Sequence, residues 1–225
     1  DQVITAPIAS IIAQKLKDKP ITVRSPLTCE AIHGICSMCY GLTPDGKLPP
    51  VGENVGVLDG QAVTERSTQL VMKSFHTGGS SLAGGGVTAG FPELKSTLEM
   101  PAILPGKATL ATVYGQVQNI EESSAGGYNV TIGGIKHPVG PSRSIIVKKN
   151  QWVSKGQAIS SGTEKPQEVL ELRGLLDTQR GLVNRMNNVY DDKFAKRTFE
   201  TVIRGISNNA LITKAPEDSE YIRGD

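Results

Sequence analysis

Cysteine, aromatic side chains and long apolar runs are all scarce in this 225-residue chain. Its three cysteines cannot all pair and fall together between positions 29 and 39, which excludes a disulfide framework and predicts a reduced compartment with a metal site. No run approaches the ~20 apolar residues of a membrane-spanning helix, so no membrane partner is expected. Neither sign of charge dominates: 24 Lys and Arg face 22 Asp and Glu, for a net charge of +2. That balance argues against extensive disorder and against autonomous binding to DNA. The chain also lacks an initiator Met and a basic N-terminal region, which predicts a fragment or processed product whose secretory signal is absent or already removed, while the reduced cysteines predict a cytoplasmic location.

Glycine, by contrast, is abundant. There are 25 in the chain, about one residue in nine, against roughly 7% in average usage, so much of the backbone is predicted to be turn and loop. The length allows one large domain or two small ones. Composition shifts divide it into five segments. Residues 1–22 carry a helix-compatible run from Val3 to Leu16 that stops before Pro20. Residues 23–59 hold the three cysteines and the turn sequence Thr43-Pro44-Asp45-Gly46-Lys47. Residues 60–100 read as helix, mobile loop and helix: no Gly or Pro interrupts the stretch between Gly60 and His76, five glycines crowd Thr77 to Gly86, and Val87, Phe91, Leu94 and Leu98 resume a helical period. Residues 101–165 carry short β-prone runs, at Ala108–Val117, Tyr128–Ile132 and Ser144–Val147. Residues 166–225 carry two amphipathic helices, Glu168–Val189 and Lys193–Asn208, and a polar tail. The expected fold class is α+β.

Two constellations carry chemistry. Cys29, Cys36 and Cys39 are spaced C-x6-C-x2-C, the last pair forming a knuckle that suits tetrahedral zinc. A fourth ligand comes from His33 or from a cysteine outside this chain; the competing reading is three small buried apolar residues. The second constellation is Gln69, Met72, Lys73 and His76, whose intervals of three and four put them on one helix face that runs into the glycine-rich loop. An ammonium and an imidazole one turn apart suit a polyphosphate, and a loop of this kind carries reactive groups to a substrate and away again. A solvated face ending in a capping histidine is the alternative.

The run Ile146 to Ile159 resembles the turn pattern of lipoyl- and biotinyl-type barrel-sandwich hybrids. No Met-Lys-Met or Asp-Lys-Ala tripeptide is present, so a structural barrel is favoured over a carrier with a modified lysine, and Lys148 and Lys149 read as a solvated edge.

From Val23-Arg24-Ser25-Pro26-Leu27-Thr28-Cys29-Glu30, through Gly34-Ile35-Cys36 and Cys39-Tyr40-Gly41, the chain resembles the largest, β′ subunit of bacterial multisubunit RNA polymerase. Thr68-Gln69-Leu70-Val71-Met72-Lys73-Ser74-Phe75-His76-Thr77-Gly78-Gly79 is similar to the trigger loop of that family, and Val87-Thr88-Ala89-Gly90-Phe91-Pro92-Glu93-Leu94 to its second trigger helix. Glu168 to Gly174 and Pro216 to Ser219 also fall in family order. The resemblance implies a helical hairpin that closes over an incoming NTP, with Met72 on the base, Gln69 at the sugar, and Lys73 and His76 as catalytic groups beside the triphosphate. It implies that the β segment is the jaw, and that Cys29, Cys36 and Cys39 are three ligands of a structural Zn2+ whose fourth lies upstream of this chain. The implied partners are the β-like and remaining β′-like subunits, DNA template and RNA transcript.

The chain departs from the family in three places. The usual arginine is Lys73, which keeps the charge without the bidentate fork. The usual Gly-Glu-Pro-Gly reads Thr64-Glu65-Arg66-Ser67, and no Asn-Ala-Asp-Phe-Asp-Gly-Asp motif occurs, so catalytic Mg2+ belongs to another chain. These features predict a split or cut β′, of bacterial or bacteriophage origin, active only in its complex. The competing function is a non-catalytic zinc-binding interaction module built on the barrel-sandwich hybrid.

Overall fold

The computed structural model describes residues 2–17, 19–76, 95, 98–124, 126–190 and 194–214, with the side chains of 69–76 outside that description. The chain forms two compact units, one from Asp1–Glu65 with Ala195–Asp225 and one from Arg66–Phe194.

In the first unit, helix α1 (Ala6–Leu16) starts with a proline in its first turn, where a missing N–H costs nothing, and buries none of its residues. A single 3-10 turn, Pro26–Thr28, is capped by Ser25, whose Oγ accepts from the Leu27 N–H at 3.1 Å. Helix α2 (Ser37–Tyr40) is one turn long, and Gly41 ends it at φ +85°, a left-handed conformation that favours glycine. The Pro-Asp-Gly sequence makes the expected tight turn, with the Thr43 N–H donating to the Lys47 carbonyl at 2.8 Å and Gly46 at φ +79°. Helix α3 (Val55–His76) starts in this unit and extends the predicted helix by five residues toward its N-terminus.

The second unit is built around a four-stranded antiparallel sheet of order β3-β2-β1-β4, from β1 (Gly115–Glu122), β2 (Tyr128–Ile132), β3 (Ile135–Val139) and β4 (Trp152–Val153). A bulge between Val117 and Asn119 shifts the β1–β2 register. The sheet curls over a core of Ala111, Val117, Val130, Ile132, Val139, Val147, Val153 and Ile159, six of which are fully buried. Buried His137 is held at both nitrogens: Nε2 accepts from the Thr112 N–H at 2.9 Å, and Nδ1 faces the Ile135 carbonyl at 3.1 Å.

Tyr128–Ile132 is the strand the sequence predicts. Ala108–Val117 becomes strand only from Gly115, and Ser144–Val147 contributes the single bridge Ile145 to Ser160. The expected helix from Glu168 to Val189 is two helices, α4 (Pro166–Arg173) and α5 (Leu175–Val189), parted by Gly174 at φ +90°. Helix α6 (Lys196–Ile206), in the first unit, buries Phe199 and Ile203 completely. The architecture is mixed α and β. The glycine-rich tip and the second trigger helix (77–94), and the segment 216–219, lie outside the described residues.

Candidate functional site

The Sγ atoms of Cys29, Cys36 and Cys39 all lie within 4.8 Å of one another. Thiolates around a tetrahedral zinc stand roughly 3.8 Å apart, given a Zn–S distance of about 2.3 Å, so a small adjustment closes the set on an ion. Two backbone amides already point at sulfur: the Cys36 N–H donates to Cys29 Sγ at 3.3 Å, and the Cys39 N–H to Cys36 Sγ at 3.4 Å. The second of these also caps α2, so the C-x2-C spacing builds a helix turn and a donor pair together. Amides directed at sulfur stabilise thiolate, the form a metal binds.

Around the cluster, Arg24 Nη1 reaches Cys39 Sγ at 3.9 Å. Arg204, on α6, donates from Nη1 to the carbonyls of Pro26 and Cys29 at 2.6 and 2.7 Å, which fixes the turn that leads into the first cysteine. Ser25 donates to Glu200 on the same helix at 2.8 Å. His33 is exposed and stands apart from the sulfurs, and among the described residues no other His, Cys, Asp or Glu joins them. A cleft of about 870 Å³ opens beside Cys36, with His33, Asn54, Arg204 and Asn208 on its walls.

The thiols of Cys29 and Cys39 shift in opposite directions. Burial pushes the Cys29 thiol up, but the amides of Cys36 and Ala31 and the two neighbouring thiols outweigh it, and the net shift is downward. Burial, then hydrogen bonding with Cys36, pushes Cys39 up to about 11; Arg24 opposes this and Cys29 adds to it. A thiolate on Cys29 makes one on Cys39 harder to form, a penalty that a bound dication reverses. The donor set, spacing and amide support therefore fit a soft dication such as zinc.

Behind Cys39, Tyr40 donates to Asp59 Oδ1 at 3.3 Å, and Thr198 donates to the same oxygen at 3.0 Å. Arg197 lies over the Tyr40 ring, 5.2 Å from its centroid. Burial first, and the Asp59 carboxylate second, push the Tyr40 phenol up. Asp59 and Arg204 did not stand out in the sequence, and Arg197 did so only as a candidate phosphate contact beside Lys193 and Lys196. Asp59 is one polar position among several on α3, and Arg197 and Arg204 are more than 150 residues from the cysteines, so only the fold brings them there.

Gln69, Met72, Lys73 and His76 fall in the last two turns of α3, where helical backbone at intervals of three and four gives them a common face. Their side chains lie outside the description; the four belong to the second unit and the cysteine cluster to the first.

Residues 34–217 match the family model for RNA polymerase Rpb1, domain 5. The DNA-directed RNA polymerase subunit beta' of Ureaplasma urealyticum is 32% identical over 239 aligned positions, covering 100% of this chain and 18% of the relative. That of Thermosipho africanus is 34% identical, over 91% of this chain and 13% of the relative, and that of Acholeplasma laidlawii is 34% identical, over 94% and 16%. The chain thus spans less than a fifth of the length of these relatives. With a family match across most of its length and relatives of this identity along nearly all of it, the chain belongs to the RNA polymerase Rpb1 domain 5 family and fits a C-terminal part of the β′ subunit.

Proposed function

We propose that this chain is a β′ piece of a DNA-directed RNA polymerase that supplies the trigger loop, the mobile hairpin that closes over NTP, and that it works only within the multisubunit complex. The observation that carries this reading is the coincidence of family membership with an unbroken α3 ending in Gln69, Met72, Lys73 and His76. In the reaction, the RNA 3′ hydroxyl attacks the α-phosphorus of the NTP, the α–β bridging bond breaks, and pyrophosphate leaves. Gln69 and Met72 hold sugar and base. Lys73 places positive charge on the triphosphate, and His76 stabilises or protonates the pyrophosphate as it departs.

Catalytic magnesium is supplied by another chain, since this one lacks the Asp-rich motif. Cys29, Cys36 and Cys39 hold a structural zinc, and the cleft beside Cys36 leaves room for a fourth ligand from outside the chain. The five segments serve as N-terminal helix (1–22), zinc-binding segment (23–59), trigger hairpin (60–100), jaw (101–165) on downstream DNA, and C-terminal helices (166–225). The partners are β-like and other β′-like subunits, template DNA, transcript and NTP, in the cytoplasm of a bacterium. The altered Thr64-Glu65-Arg66-Ser67 segment favours a split, bacteriophage-encoded version in an infected cell.

Mass spectrometry of what co-purifies with the chain from its native source tests the assembly. A partner bearing the Asp-rich magnesium motif is expected. A chain that purifies alone as a zinc-loaded monomer contradicts the proposal and favours an interaction module.

A further inference from the structure

In the second unit, the rings of Tyr114 and Trp152 stack on the surface, centroids 5.2 Å apart and planes 22° from parallel. They are 66% and 60% exposed, while Val153, next along β4, is fully buried. An aromatic pair stacked on itself and left in water holds apolar surface that the core does not use, the kind of surface on which a further planar group stacks.

The backbone beside the stack is well hydrogen-bonded. Trp152 pairs with Gln116 on β1, and the turn 148–151 that leads into it is pinned on several sides. The Lys148 N–H donates to Gln151 Oε1 at 2.9 Å, the Asn150 N–H to the Val117 carbonyl at 2.8 Å, and Gln116 Nε2 to the Asn150 carbonyl at 2.8 Å. Asn150 adopts φ +68°, which its side chain type tolerates. Lys148 and Lys149 are exposed on this turn, and Lys155 on the next.

Charge here is one-sided. From 123 to 163 the chain carries Lys136, Arg143, Lys148, Lys149 and Lys155 and no Asp or Glu, an excess hidden by the whole-chain value of +2. Glu121 and Glu122 sit at the far end of β1, roughly 17 Å or more from Gln116 at ~3.4 Å per residue. Glu164 and Glu168 are paired with Arg173 and Lys107.

We propose that the Tyr114–Trp152 stack, with Lys148 and Lys149 on the pinned turn beside it, is a docking platform for single-stranded nucleic acid, unpaired bases continuing the aromatic column and lysines meeting the phosphates. Bases within a duplex are stacked on each other and cannot do this, so the platform differs from a backbone grip on double-stranded DNA. It stands independently of the trigger-loop reading.

Trp152 is the sole tryptophan, so its fluorescence reports on the platform directly in the full chain. The probes are oligothymidylate and oligouridylate of about twelve nucleotides, within the usual site size, a duplex of equal length, and polyglutamate. The expected result is saturable quenching by one or both single strands, weakened by salt and at least tenfold tighter than for duplex. Tyr114→Leu should weaken it at least tenfold, while Tyr114→Phe, which keeps the ring and controls for folding, leaves it within twofold. The oligothymidylate and oligouridylate titrations tell a DNA platform from an RNA platform. Duplex binding as tight as single-strand binding, Tyr114→Leu at full affinity with an unchanged melting profile, or no saturable quenching overturns the proposal. Quenching by polyglutamate equal to that by the oligonucleotides also overturns it, and marks a surface for an acidic protein instead.

Discussion

The cysteine-bearing unit and the sheet-bearing unit reach order by different means. The sheet unit has eight clustered apolar residues, six of them fully buried, behind an antiparallel sheet, so its stability rests on area removed from water. The cysteine unit has fewer fully buried apolar side chains, chiefly Phe199 and Ile203, and buries the polar residues Asp59, Thr198 and Thr201 alongside them. Its segment from Ser25 to Gly41 contains only two single helical turns and is held by amide-to-sulfur bonds and by contacts to Arg204 and Glu200. With zinc bound as proposed, a segment of that kind leans on the metal, whereas the sheet does not.

The sharpest break of this contrast is metal removal. Structural zinc contributes on the order of 10 kcal/mol or more to small metal-organised folds. Chelation of the zinc-loaded chain is expected to raise hydrogen exchange sharply at residues 29–41 and leave β1 to β3 unchanged; equal loss of protection in both regions contradicts the contrast. Proton linkage has the same direction. Without metal the Cys39 thiol keeps its proton up to about pH 11, so zinc binding near neutrality releases protons, and falling pH favours metal loss.

A smaller and opposite effect follows from the sheet core. Ile159 is fully buried there, and Ile159→Ala should cost about 2–5 kcal/mol in the unfolding of the sheet unit, read by thermal denaturation. Zinc content should stay the same. Loss of zinc in this variant indicates that the two regions do not stand apart energetically.

The two regions also differ in how far the sequence revealed them. The cysteine cluster was legible because C-x2-C encodes its own geometry, one helical turn in which the Cys39 amide points back at Cys36 Sγ. Its supports were not, because Arg204 and Asp59 act through tertiary placement. In the sheet, Tyr128–Ile132 has the alternating β-branched pattern of a strand, while Ile135–Val139 contains Lys136, His137 and Pro138 and reads as a turn. Proline is tolerated at 138 because β3 is an edge strand, and His137 is tolerated inside because both its nitrogens face partners. Gly174 split a helix that periodicity read as continuous, since apolar spacing resumes in phase on its far side. The exposed Tyr114–Trp152 pair spans 38 residues of sequence and becomes visible only when β4 joins β1.

The proposed role of the end of α3 is to act on the NTP during RNA synthesis. Its most direct test is single-nucleotide addition, under pre-steady-state conditions, by the assembled polymerase containing this chain with and without His76→Ala. A positioned acid or charge-stabilising group contributes roughly 10²-fold or more, so the variant should add a nucleotide at least about a hundredfold more slowly with the complex intact. A slowing of less than about threefold contradicts the assignment of His76 to the chemical step.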